Sequence, residues 1–159
     1  MQEQLTPAVR TASIVQETTI IGSPADVFNA LTKKVAAWWS HVSYETDHKP
    51  DLQIEERVGG RFFEKCGSKQ RLYATVTRLE PPLTLWMEGS MGLGGCVFGV
   101  VMFDLKERDD GTTTVRLTHR MMGEIDDDGV AMYRGGWKAL LDEGLKGYVE
   151  HGTEAWGAA

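Results

Sequence analysis

The sequence predicts an α+β fold in which an antiparallel sheet wraps around one long C-terminal helix. Three observations predict it. First, Val130, Tyr133, Trp137, Leu140, Leu141, Leu145, Tyr148 and Val149 recur at spacings of three and four between Gly129 and His151. They form one apolar stripe, opposite Arg134, Lys138, Asp142, Glu143, Lys146 and Glu150. Second, β-rich runs separated by Gly or Pro turns stand together from Asp51 to Met122. They do not alternate with helices, which selects an antiparallel sheet over a parallel one. Third, Asp110-Gly111 lies between two long β-rich runs, a hairpin signature.

The helix is expected over residues 129–151. Gly135, Gly136, Gly144 and Gly147 interrupt it, and each costs about 1 kcal/mol relative to Ala in a helix interior. Glycine on a packed helix either leaves space or permits close approach. The expectation is a cavity between helix and sheet, which Phe at Gly144 or Gly147 would fill.

The remaining elements follow in order. Residues 1–9 are polar and read as loose. Thr11 to Ile21 is rich in β-branched residues and reads as a strand. Ser23-Pro24-Ala25-Asp26 then supplies an N-cap, a first-position proline and a first-turn acid. A helix follows through Val27, Phe28, Leu31 and Val35, and a second short segment ends in Trp38-Trp39. Adjacent tryptophans cannot share one face, so one is expected in the core and the other at an opening. DLQIEERV, RFFEKC, RLYATVTRLE and LTLWME make a meander, and GSMGLGG is a loop. On the hairpin, Val115, Leu117, His119 and Met121 share one face, and Val101, Phe103 and Leu105 share the matching face of the partner strand. Asp126, Asp127 and Asp128 complement a helix N-terminus.

At 159 residues the chain is read as one domain, with an ordered core over residues 11–151. Net charge is −6, which argues against nucleic acid or an anionic membrane surface as partner, since both need a basic footprint. No apolar run is long enough to span a bilayer, and MQEQLTPAVR lacks the pattern of a secretory signal. Cys66 and Cys96 give no disulfide framework and read as reduced thiols of a cytoplasmic protein. A homodimer is compatible with this pattern.

Chemical motifs are sparse. Glu124, Asp126 and Asp128 mimic the start of a calcium loop, but Gly135 stands where the bidentate Glu is needed. His41, His48, Cys66 and Cys96 lack metal-ligand spacing. GSMGLGG leads into a strand and has no Lys-Ser/Thr pair, so it is not a phosphate loop. Glu88-Gly89-Ser90-Met91-Gly92 lacks the first glycine and the setting of a nucleophile elbow. No metal or cofactor is expected.

Six segments in order carry a resemblance: Ser23 to Thr32; Trp38-Trp39; Val58 to Phe62; Val76 to Pro82; Leu117-Thr118-His119; and Gly136 to Leu141 with Leu145 and Tyr148. Over roughly residues 11–151 the chain resembles the START-like, birch-pollen-allergen-like (SRPBCC) superfamily. Within it, the chain is similar to the branch named after the activator of the heat-shock-protein-90 ATPase, which also holds polyketide-cyclase-like proteins. The resemblance implies a helix-grip fold with a hydrophobic cavity. It also implies members as different as lipid carriers, cyclases and chaperone regulators.

The leading expectation is therefore a binder of a small hydrophobic or amphipathic molecule. The expected lining is Trp39, Phe63, Tyr73, Met87, Met91, Phe98, Met102, His119, Tyr133, Trp137 and Leu141, because pockets are mostly apolar with a few polar groups. The competing reading of these side chains is plain core. His119 is either a polar anchor or acid–base group in the cavity, or a core-edge histidine satisfied by backbone. A cyclase-, aromatase- or hydrolase-like enzyme using His119, with Tyr133 or Glu64, is the second function. A chaperone-regulating interaction module is the third.

Overall fold

The computed structural model describes residues 8–157, so residues 1–7 of the segment expected to be loose lie outside the described residues. The chain runs β1 (Arg10–Ile21), α1 (Pro24–Lys33), α2 (Val35–Trp38), β2 (Asp51–Ile54), β3 (Arg61–Cys66), β4 (Lys69–Glu80), β5 (Thr84–Gly89), β6 (Val97–Glu107) and β7 (Thr112–Gly123). It closes with α3 (Asp127–Ala139), a π-helical segment Leu140–Leu145 and α4 (Lys146–His151), which follow one another without a break.

The strands form one antiparallel sheet in the order β1-β7-β6-β5-β4-β3-β2. Its first strand returns beside its last, so β1 pairs with β7 along its whole length, from Arg10 opposite Gly123 to Ile21 opposite Thr112. The sheet is curved around the 25-residue C-terminal helix, giving the helix-grip architecture.

Local signals explain the ends of the elements. The Ser23 side chain accepts from the Asp26 N–H at 3.1 Å, and Pro24 opens α1. Asp126 caps α3 by accepting from the Gly129 N–H at 2.7 Å. Of the carboxylates that mimic a calcium loop, Asp126 is thus the helix cap and Asp128 a first-turn acid.

The inward face of β7 carries Val115, Leu117, His119 and Met121, opposite Leu105, Phe103, Val101 and Gly99 of β6. Across this core lie Leu140, Leu141 and Leu145 of the π-helical segment, all buried.

The helical glycines divide their roles differently from the expectation. Gly144 permits close approach: a Cβ there would stand 2.7 Å from the Trp38 carbonyl oxygen and 3.3 Å from the Trp38 ring. Gly147 faces only Thr153, 3.9 Å away. Neither opens on a cavity, so the expected cavity-filling by Phe at these positions is corrected. Gly144→Ala is instead expected to lower stability by about 1–3 kcal/mol, the usual penalty of overpacking. Calorimetric melting checks this, and an unchanged Tm would mean that α2 yields without strain.

Candidate functional site

The cavity opens at the N-terminal half of the long helix, between that helix, the loop after α2 and the loop after β5. Its volume is about 350 Å³, and it is lined by Trp39, His41, Val42, Ser43, Tyr73, Met91, Gly92, Met132, Tyr133, Gly136, Trp137 and Leu140.

The tryptophan pair is divided as adjacency requires. Trp38 is fully buried and donates its Nε1–H to the Ala30 carbonyl at 2.8 Å. Trp39 turns to the cavity and donates to the His41 carbonyl at 2.7 Å, which starts the loop on its course. Trp39 meets Phe62 and Trp137 edge-on, with ring centroids 5.0 and 5.5 Å apart. Such aromatic contacts are directional as well as apolar.

A buried carboxylate organises the other side. Glu64 has no exposed surface. It accepts the Ser43 N–H at 2.8 Å, the Tyr44 N–H at 3.1 Å and the Tyr73 hydroxyl. Three donors satisfy a charge that would otherwise be costly to bury. The Ser43 hydroxyl lies 2.5 Å from the Tyr73 hydroxyl. Burial, then the bond to Glu64, push the Tyr73 phenol up to about 12, while Ser43 pulls the other way.

A strap formed by Ser90 to Leu93 bounds the cavity. Among the described residues Met91 is the non-glycine residue with a left-handed backbone, φ 52°, a conformation held only by its surroundings. Those surroundings are visible. The Met91 N–H donates to the Tyr73 carbonyl at 3.0 Å, and the Tyr133 hydroxyl donates to the Met91 carbonyl at 2.8 Å. Arg71 donates to the Gly92 carbonyl at 2.9 Å.

His119 lies behind this wall. It is fully buried, and its Nδ1 accepts the Trp137 indole N–H at 3.0 Å. An indole only donates, so Nδ1 is the bare nitrogen and Nε2 carries the proton. Nε2 has no hydrogen-bond partner. Gly99 makes room for the ring, since a Cβ there would stand 3.0 Å from Nε2. Burial pushes the imidazole down to about 4.

The expected lining residues therefore separate into groups. Trp39, Tyr73, Met91, Tyr133 and Trp137 are brought together around the cavity. Met87 and Leu141 are packed in the core and take no part in its wall. His119 stands one layer behind it, in contact with Tyr133 and Trp137.

Three placements are corrections. Phe98 is half exposed, and it lies with Met102 in a groove on the opposite sheet face, shared with Val100 and Met122. Alternation decides this: once Val101 and Phe103 face inward, Phe98 and Met102 cannot. Phe63 is displaced by the same rule. Its neighbour Phe62 contacts Trp39 and Tyr73, while Phe63 lies beneath the Arg61 guanidinium at 4.4 Å and the Lys65 ammonium at 5.3 Å.

Sequence reasoning missed His41, Val42, Ser43, Gly92, Met132, Gly136 and Leu140. His41 to Ser43 belong to a stretch whose polarity reads only as loop. Gly136 stands out in the sequence only as a helical glycine, because its partner, the His41 ring, is about ninety-five residues away and invisible to periodicity.

The fold and the cavity together define a helix-grip domain of the START-like, SRPBCC class. Residues 22–150 match the family model described as "Activator of Hsp90 ATPase homolog 1-like protein", and the chain belongs to that family. No curated protein matches the sequence. Among solved structures, a conserved protein of unknown function from Enterococcus faecalis is similar with TM-score 0.67 and 21% identity, over 97% of this chain and 78% of that one. An HSP90 activator from Plasmodium falciparum is similar with TM-score 0.60 and 18% identity, over 87% and 93%. CalU16 from Micromonospora echinospora is similar with TM-score 0.59 and 19% identity, over 90% and 82%. At these identities the likeness is one of fold.

Among the described residues no helix is long and apolar enough to cross a membrane.

Proposed function

We propose that the protein binds a small amphipathic molecule in the cavity between the long helix and the loops after α2 and β5. One observation carries the reading: about 350 Å³ of space walled by Trp39, Met91, Trp137 and Leu140, with the Ser43–Tyr73–Glu64 chain at one side. That is the composition of a small-molecule site, apolar with a few convergent polar groups. A ligand burying about 300 Å² of apolar surface would gain roughly 7 kcal/mol gross. Association costs reduce this, so affinity in the micromolar range is expected.

Binding is favoured over catalysis because the candidate proton-transfer groups are engaged. His119 is buried behind Trp137 and bonded to it. The Tyr133 hydroxyl is committed to the Met91 carbonyl. Glu64 stands behind Tyr73 and is not part of the cavity wall. A cytoplasmic location is part of the proposal, supported by the two free cysteines Cys66 and Cys96.

Gly136→Phe tests the reading. A Cβ at Gly136 meets only the His41 ring, at 3.0 Å, and His41 is exposed. Gly136 lines the cavity, so a side chain added there takes up part of its space. Native mass spectrometry of the purified protein, then titration with whatever small molecule co-purifies, should show binding to the parent protein and none to Gly136→Phe at unchanged Tm. Equal binding by both would place the ligand elsewhere.

A further inference from the structure

We infer that the cavity selects a ligand whose polar head donates a hydrogen bond, a hydroxyl or an ammonium, and discriminates against carboxylates. The inference deepens the ligand-binding reading and rests on it.

The direction of each hydrogen bond carries the argument. Two backbone N–H groups and one phenol converge on Glu64, an arrangement built for an acceptor-only carboxylate. Tyr73 therefore gives its single proton to Glu64. The 2.5 Å contact between the Ser43 and Tyr73 hydroxyls must then be filled by the Ser43 proton. With both protons directed along the chain towards Glu64, the oxygens of Ser43 and Tyr73 turn only lone pairs to the cavity, which both residues line.

The other side-chain donors at the cavity wall are directed elsewhere. The hydroxyl of Tyr133 points away, onto the Met91 carbonyl. The Trp39 and Trp137 indole N–H groups are engaged by the His41 carbonyl and His119. Arg71, the nearby cation, directs its guanidinium at the Gly92 carbonyl and is absent from the wall. His41 stands at the exposed rim. A carboxylate head would meet lone pairs backed by the Glu64 charge. A hydroxyl or ammonium head would extend the hydrogen-bonded chain by one link, and its apolar body would lie against Trp39, Trp137 and Met91.

Four probes of one skeleton test this: naphthol, naphthylmethylammonium, naphthoate and methylnaphthalene, titrated into the full-length protein at neutral pH by calorimetry. Naphthol and the ammonium should bind about ten-fold tighter than methylnaphthalene, the size expected of one well-made hydrogen bond, and naphthoate should bind weakest. Ser43→Ala, at an exposed loop position, should reduce the ratio of naphthol to methylnaphthalene affinity. Naphthoate binding as tightly as naphthol, or methylnaphthalene equalling naphthol, overturns the inference and leaves the cavity as a binding site. Absence of binding by all four overturns the ligand-binding reading, and this inference falls with it.

Discussion

Trp137→Ala is expected to lower the unfolding free energy by about 3–5 kcal/mol, the range for removing a large aromatic from a packed interior. Trp137 is 3% exposed and is the piece that joins cavity, helix and sheet. Its ring meets Trp39, Phe103 and His119 edge-on, at centroid distances of 5.5, 5.9 and 5.8 Å. Its indole N–H is the hydrogen-bond partner of His119. Truncation enlarges an existing cavity, so collapse of the walls cannot recover the lost contacts. Trp137→Phe separates the two contributions. It keeps most of the apolar ring but orphans the His119 Nδ1 acceptor, which should cost about 1–3 kcal/mol. Urea unfolding followed by circular dichroism measures both, and an Ala variant within about 1 kcal/mol of the parent would show Trp137 to be cavity lining with no structural duty.

Acidification should destabilise the fold through His119 by about 3 kcal/mol between neutral pH and about pH 4. The imidazole is held down from 6.5 to about 4 by burial, and each pH unit of displacement is worth about 1.4 kcal/mol. The sign follows from proton binding. Between the two values the unfolded chain holds a proton on His119 that the folded chain lacks, so lowering the pH favours unfolding. The stability is fully present above about 6.5 and is lost as pH falls towards about 4. Local geometry agrees: protonating Nδ1 would set two donors, Nδ1–H and the Trp137 N–H, against each other. His119→Gln removes the titration and keeps an oxygen able to accept from Trp137. Unfolding free energy plotted against pH should therefore be flatter for His119→Gln by about 3 kcal/mol over this window. Parallel curves for the two proteins would show that His119 titrates no differently when folded.

Much of the site was readable before its geometry was known, for particular reasons. Trp39 is marked by the tryptophan pair, which cannot share one face, and Tyr133 and Trp137 by the apolar stripe of the long helix. Met91 is marked by the glycine-rich loop around it. Strand alternation alone turns His119 inward, and it does face inward. Its partner was not foreseen. A backbone-satisfied edge histidine does not describe it, because the Trp137 indole supplies its bond from the helix. Phe63, Phe98 and Met102 show the opposite failure. They have the chemistry of lining residues, but an alternating pattern shows two faces without saying which is buried, and a shift of one residue exchanges them.

The sequence by itself determined the class of fold, the order of its elements and the cap of α1. These depend on periodicity, turn chemistry and capping, which act over a few residues and leave their mark in any short window. Only the tertiary structure decided where the space lies and what polarity it has. The Gly144 contact with Trp38, the space between Gly136 and His41, and the Ser43–Tyr73–Glu64 chain each join segments far apart in sequence. Their chemistry resides in distances and in the direction of hydrogen bonds, and those quantities exist only once sheet and helix have closed on one another.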